Sequence, residues 1–199
     1  SSVTAIADNA AFTITAAALT MSGGDLTSTS GTMTVNGNIN ISSASSAIDF
    51  GSETWNVSGT WTNASTDGAV WEKGTATVNF TSATGGTMTF AGTNLSEDEF
   101  NIVAFISSAG TAQTFTMATR GIRGTTININ DGTSTTALDT TTIGNLAVTA
   151  ITLNVTTGGI LTANGSTITV TSIDTSTGTY TVGTSTVVVS ASGGTVNID

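Results

Sequence analysis

The chain has 199 residues, of which 38% are hydrophobic and 8% are charged, and it contains neither Cys nor His. This composition excludes a disulfide framework, a metal site built on Cys or His, and a catalytic centre of the Ser-His-Asp or Cys-His type. The formal net charge of −10, from 13 acidic and 3 basic residues, argues against partners such as nucleic acid or an anionic membrane surface, because phosphates would repel the chain.

The polar character of the chain comes from uncharged side chains. Ser and Thr make up about a third of the residues, and β-branched residues are frequent, whereas disordered chains are rich in charge and poor in β-branched residues. No apolar run approaches the ~20 residues that a membrane span needs. We interpret Ser1 as the start of a mature chain that has lost its signal segment, or of an excised domain. These features predict a secreted, extracellular protein at a cell surface.

Short stretches of alternating polar and apolar residues recur along the chain, which is the pattern of half-buried strands. In chain order they predict strands at 12–15, 32–35, 75–80, 87–90, 115–117, 127–129, 151–155, 168–170 and 180–182. Glycine pairs and Asn-Gly steps between them supply the positive φ of tight turns. Segment 95–106 begins with a capping Ser and three acids that suit a helix, but we favour a buried strand at 100–106.

The spacing of these strands predicts an all-β fold. The tetrad Gly-Thr-x-Thr occurs at Gly31, Gly74, Gly86 and Gly178, and its unequal intervals suit a degenerate solenoid repeat. We predict a single domain over residues 1–199 that forms a β-solenoid, with assembly strands at 1–20 and 184–199. The alternative is a β-sandwich of the pilin type with donor-strand exchange.

Four segments resemble a known repeat. Residues 57–63 (VSGTWTN), 74–80 (GTATVNF), 100–102 (FNI) and 159–170 (GILTANGSTITV) are similar to the degenerate β-solenoid repeats of large bacterial and archaeal surface proteins. The resemblance covers roughly residues 30 to 170. It implies a right-handed parallel β-helix with a role in adhesion, surface layers or filaments, and it implies no conserved catalytic residues.

Few residues are available for chemistry. Parallel β-helices that cleave polysaccharides often use basic residues and calcium, and this chain offers only Lys73, Arg120 and Arg123. Arg120 and Arg123 are close enough in sequence to share a site, although pairing with carboxylates or exposure to solvent is the more common outcome for such residues.

Acidic residues offer two further candidates. Asp49 and Glu53 are the nearest isolated carboxylate pair for glycosidase chemistry, and Glu97, Asp98 and Glu99 are the densest acidic cluster and a conceivable calcium site. Without a calcium-loop motif around these residues we assign no metal and no cofactor, and we expect that the protein is not an enzyme.

Two sets of side chains point to carbohydrate. Trp55, Trp61 and Trp71 lie close in sequence, and we favour a place for them in the core over stacking on a glycan. Seven Asn-x-Ser/Thr sequons are candidate glycosylation sites that would make this a glycoprotein: Asn40, Asn56, Asn63, Asn79, Asn94, Asn154 and Asn164.

The chain contains no Pro, and the segments near both termini are strand-like without a charged cap. Open strand edges invite pairing with another copy, and a head-to-tail contact that does not close gives a filament. We therefore expect a structural subunit of an extracellular filament, sheath or surface layer, whose partner is a homo-polymer formed by self-assembly. The alternatives are an adhesin segment that binds surface glycans and, in last place, a polysaccharide-active enzyme.

Overall fold

A computed structural model describes residues 13–66, 71–90, 99–107, 112–129, 134–140, 145–190 and 193–198. All regular structure in these ranges is β-strand, and they contain no helix. The strands are β1 (Thr13–Ala16), β2 (Leu19–Met21), β3 (Leu26–Thr27), β4 (Thr32–Val35), β5 (Ile39–Ile41), β6 (Ile48–Asp49), β7 (Thr54–Val57), β8 (Trp61–Asn63), β9 (Thr77–Phe80), β10 (Gly86–Thr89), β11 (Glu99–Phe105), β12 (Gln113–Ala118), β13 (Ile122–Ile129), β14 (Thr136–Asp139), β15 (Val148–Val155), β16 (Gly159–Thr162), β17 (Thr167–Asp174), β18 (Thr179–Thr181), β19 (Thr186–Val189) and β20 (Val196–Asn197).

These strands form a β-solenoid of about seven turns in which the described pairs are parallel. The register advances by 19 residues from Thr13 to Thr32 and by 26 residues from Thr126 to Thr152, so the coils vary in length. The predicted β-solenoid is confirmed. The sandwich alternative is wrong, because a pilin-type sandwich is built mainly from antiparallel strands. The right-handed sense stays a prediction.

Each coil has three sides, taken in the same order along the chain. Side 1 contains β1, β4, β7, β9, the second halves of β11, β13, β15 and β17, and then β20. Side 2 contains β2, β5, β8, β10, β12, β14, β16 and β18. Side 3 contains β3, β6, the bridge between Asp49 and Glu72, the first halves of β11, β13, β15 and β17, and β19.

The corner between side 3 and side 1 takes two forms. In the early coils it is a tight turn at Gly51 and Gly74, whose φ values are +55° and +51°. A Cβ on Gly74 would lie 1.8 Å from the Gly51 carbonyl oxygen, so consecutive turns stack too closely for any other residue. In the later coils the strand runs through the corner without a turn. There β13 and β15 pair on either side of a bend at Thr125 and Ile151, which have no register partner.

Side chains that point inward stack into columns. One column on side 1 consists of Met33, Trp55, Val78, Val103, Ile127, Leu153 and Ile173, and each is at most 6% exposed. The core of the coils between residues 50 and 115 is mainly aromatic, whereas the later coils use Ile, Leu and Val. A continuous apolar column explains why the alternating sequence folds as stacked coils.

Side chains that point outward form polar ladders. On side 1 the Asn79 amide donates to the Asn56 Oδ1 at 3.0 Å, and the Asn154 amide donates to the Asn128 Oδ1 at 2.9 Å. The neighbouring outward column on this side is mostly Thr. The outer surface is thus held by uncharged hydrogen bonds between coils, which accounts for the low charge content.

The described parts of the segments predicted as assembly strands lie at the two ends of the solenoid. Residues 1–12, 191–192 and 199 lie outside the described residues, while β1 and β2 belong to the first described coil and β19 and β20 to the last. The last coil leaves several large apolar side chains exposed, namely Val182, Val188, Val189, Val196 and Ile198. Ile151, at the middle bend of the corner, is likewise 55% exposed.

Candidate functional site

An outer groove follows the corner between side 3 and side 1, at the point where tight turns give way to bent strands. The Lys73–Gly74 turn stands at one end of this groove, and Ser190, directly after β19, stands at the other. Between them the bends at Thr125, Ile151 and Thr171 form the floor. The bent strands thus line the groove between the Lys73–Gly74 turn and Ser190.

The groove has a volume of about 290 Å³, and five of its lining residues carry a hydroxyl group, namely Thr125, Thr149, Thr169, Thr171 and Ser190. Register places Glu99, Arg123, Thr149 and Thr169 in one outward column on consecutive coils of side 3. Neighbouring strands in a sheet lie about 4.7–4.9 Å apart, so these side chains form a regular row. Hydroxyl groups both donate and accept hydrogen bonds, so the row is suited to a ligand that does the same.

Two of the three basic residues of the chain lie in this groove. The Lys73 Nζ donates to the Glu99 Oε1 at 2.5 Å and to the Thr125 Oγ1 at 3.2 Å. Both partners of this ion pair are about one-third exposed, and such pairs contribute little to stability. The ion pair neutralises the charge of Lys73 and holds its side chain at the end of the groove.

Arg123 is the unneutralised cation of the groove. Its Nε is buried and has no hydrogen-bond acceptor among the described residues, although its strand neighbour in register is Glu99. A buried donor without a partner costs about 1–3 kcal/mol. The guanidinium group is planar and matches the geometry of a carboxylate or sulfate. The groove therefore carries one positive group that forms no ion pair within the described residues.

Arg120 is not part of this site. It follows Thr119, whose φ is +75°, in the turn after β12, and it does not line the groove. The structure therefore separates the predicted pair Arg120 and Arg123. It brings Arg123 together with Lys73 and Glu99, which are distant in sequence.

The three tryptophans lie inside the solenoid. Trp55 and Trp61 are 0% exposed and Trp71 is 5% exposed. The Trp61 ring packs edge-to-face on Trp71, Phe80 and Phe100 at centroid distances of 6.2, 6.0 and 5.8 Å. The Trp71 Nε1 donates to the Glu99 carbonyl oxygen at 3.1 Å. Stacking of these rings on a glycan would need an exposed ring face, so this hypothesis is wrong for the folded chain.

The carboxylates of the sequence candidates do not meet in an open site. Glu53 is 1% exposed, whereas Asp49 is half-buried and its Oδ1 accepts a hydrogen bond from the Gly51 N–H at 3.0 Å. Glu97 and Asp98 lie outside the described residues, and Glu99 pairs with Lys73. Within the described ranges, no three Asp or Glu side chains cluster in a way that could hold a metal ion.

The candidate glycosylation sites differ widely in exposure. Asn40 is exposed on side 2, and Asn56, Asn79, Asn154 and Asn164 are half-buried. Asn63 is only 1% exposed and its Oδ1 accepts a hydrogen bond from the Ser65 N–H at 2.8 Å, so its amide nitrogen is closed to modification in the fold. Asn94 lies outside the described residues. Of the described sequons, Asn40 suits a glycan best.

Comparison with protein-family models, with curated proteins and with solved structures gives no match. The resemblance to surface-protein repeats therefore carries the fold and not the family. No helix that could cross a membrane occurs in the part of the chain that is described.

Sequence reasoning missed the groove although a signal for it is present. In β13, β15 and β17 the alternation breaks at 125–126, 151–152 and 171–172, where two successive side chains both point outward. Such a break marks a bend between two sides of a solenoid. Aligning the three breaks would have placed Thr125, Ile151 and Thr171 on one line, with Arg123 two residues before the first of them.

Proposed function

We propose that the chain is a structural subunit of an extracellular, cell-surface filament, sheath or surface layer, as in the surface proteins that its repeats resemble, and that its solenoids stack end to end. The observation that carries this proposal is the exposure of core positions in the last coil. Val196 continues the column of Ile173, yet Val196 is 51% exposed while Ile173 is 1% exposed. Val189 likewise continues the column of Val170, and Val189 is 37% exposed while Val170 is 0% exposed.

The occupant that we propose for this end is the first coil of a second copy. Ile14 stands in the same column as Met33, and through the intervening coils in the same column as Val196. Ile14 and Leu19 pack only partly against the core, and no described strand pairs with the outer edge of β1. Stacking would bury Ile14 on Val196 and would continue the hydrogen-bond ladder in parallel.

Such contacts are heterologous, because one end of the solenoid meets the other end of its neighbour. A heterologous contact that does not close yields an open polymer. The uncharged Thr and Asn ladders on the outside suit an extracellular polymer in which each coil is held by its neighbours.

The test is the polymer state of the purified chain, measured by sedimentation velocity and negative-stain electron microscopy over a wide range of concentration. We expect filaments whose length grows with concentration. The double variant Val189→Lys and Val196→Lys should stay monomeric, because lysines cannot be buried in the stacked core. Thr114→Lys is the matched control, since Thr114 is exposed on side 2 in the middle of the solenoid. A monomeric wild type, or equal polymerisation of both variants, would overturn the proposal.

A further inference from the structure

We propose that the outer groove binds a saccharide unit that carries a single carboxylate, such as a uronic acid residue. This inference does not depend on the stacking of coils, because the groove lies on the lateral surface and only Ser190 among its lining residues belongs to the last coil. The charged residues that line the groove are Lys73, Glu99 and Arg123. The charges of Lys73 and Glu99 neutralise each other in an ion pair. What remains is one positive group in a protein of net charge −10.

The charge balance sets the number of anionic groups on the ligand. Arg123 lines the groove and forms no ion pair among the described residues, and a guanidinium group binds a carboxylate with two parallel hydrogen bonds. A densely charged polymer would be repelled by the acidic surface around the groove. The ligand is therefore expected to bring one carboxylate to Arg123 and uncharged polar groups elsewhere.

The remaining lining identifies those polar groups as hydroxyls. Thr125, Thr149, Thr169, Thr171 and Ser190 supply hydroxyl groups along the groove, and each can donate to or accept from a sugar hydroxyl. Ile151, with 55% exposure, offers an apolar contact for the C–H face of a sugar ring. These are the few polar groups and the apolar wall that small-molecule sites typically combine.

An acidic peptide fits less well. The groove lies on the outer face of strands that pair with neighbours on both edges, since β13 pairs with β11 and β15, and β15 pairs with β13 and β17. Their backbone groups are therefore engaged and offer no edge for a peptide to extend. The recognition has to come from side chains, and five of these carry a hydroxyl group.

The experiment compares two disaccharides that differ by one carboxylate, cellobiouronic acid and cellobiose, titrated into the labelled full chain and followed by amide chemical shifts. We expect cellobiouronic acid to shift the amides of Thr125, Thr149 and Thr169, and cellobiose to bind at least about tenfold more weakly, the effect of losing one charged hydrogen-bonded pair. Acetate and tetraglutamate are titrated in parallel and should shift these amides less than the uronate.

Three variants locate the site. Arg123→Gln should weaken cellobiouronic acid binding at least about tenfold, whereas Arg120→Gln removes the same charge outside the groove and should leave it unchanged. Thr149→Val keeps the shape of the side chain and removes a hydroxyl, so it should weaken binding while the melting temperature changes little. Equal binding of the two disaccharides, equal losses in the two arginine variants, or tighter binding of acetate or tetraglutamate would each overturn the proposal.

Discussion

The early and late coils differ in how the chain passes the corner between side 3 and side 1. Between residues 13 and 90 the corner from side 3 to side 1 is a tight turn, stacked so closely at Gly51 and Gly74 that side chains are excluded. Between residues 99 and 174 the strand bends through the corner without a turn. The first solution leaves no room for side chains at the turn, and in the second solution side chains such as Arg123 and Thr125 line a groove. The difference shows that one corner of a solenoid can change while its core columns stay in register.

The cores of the two regions differ as well. The middle coils pack nine aromatic rings from Phe50 to Phe115 against one another, whereas the last coil contributes valines that are partly exposed. Because aromatic rings bury the most area per residue, the free energy of folding should be concentrated in the middle of the solenoid.

The largest effect is expected from Trp61→Ala. This ring is fully buried and contacts four other aromatic rings, and truncating such a residue costs about 3–5 kcal/mol. Val188→Ala in the exposed last coil should change the free energy of unfolding by less than about 0.5 kcal/mol. Denaturant unfolding measures the free energy of unfolding of both variants. Equal losses in the two variants would contradict the expectation that the aromatic coils contribute most of the stability.

The two corners are compared directly by Gly74→Ala and Gly124→Ala. At Gly74 the new Cβ meets backbone at 1.8 Å with φ at +51°, while at Gly124 its nearest neighbours are the Ile127 Cγ1 at 3.2 Å and the Thr126 carbonyl oxygen at 3.3 Å. We expect Gly74→Ala to cost more than about 2 kcal/mol, from the left-handed conformation and the displaced turn, and Gly124→Ala to cost less than about 1 kcal/mol. The melting temperatures of the two variants measure these costs. A larger loss of stability in Gly124→Ala than in Gly74→Ala would mean that the bent corner is packed more tightly than the turn.

Amide hydrogen exchange should rank the regions without any substitution. Strands in the last coil have one unpaired edge and exposed valines, so β18, β19 and β20 should open locally at least about tenfold more often than β9 and β11. Uniform protection along the chain of a monomeric variant would show that the solenoid unfolds as one unit.

The smallest effect concerns the pH dependence of the last coil. The hydroxyl and N–H of Ser176, followed by the Asn197 amide, donate to the Asp174 carboxylate and lower its pKa below the ordinary value of aspartate. A lowered pKa in the folded state stabilises the fold above the ordinary pKa, and this stabilisation is lost as the pH falls through the folded value.

Asp174→Asn removes this titration. The wild type should therefore melt at a slightly higher temperature than Asp174→Asn at neutral pH, and the difference should shrink as the solution is acidified below the ordinary range of aspartate. A difference that stays constant with pH would show that the carboxylate does not titrate in this way.

The sequence supports the fold more strongly than it supports the site. Alternation located strands such as 32–35, 87–90 and 151–155, and the choice of a strand over a helix at 100–106 agrees with β11, because period two in hydrophobicity follows directly from strand geometry. The groove depends instead on which coil stacks on which. The register between Glu99 and Arg123 is set by loop lengths that vary from coil to coil, so the broken alternation marks the three bends but does not show that Glu99 lies beside Arg123.

The variable coil length has a mechanical consequence. Strands run across the solenoid axis, so a pull on the two ends of the chain would open the hydrogen bonds of one coil at a time and would not shear them together. Each coil of 19 to 29 residues would release roughly 60–100 Å of extended chain. Under load the chain would therefore lengthen in many small steps, and the coils with the aromatic core would unfold last.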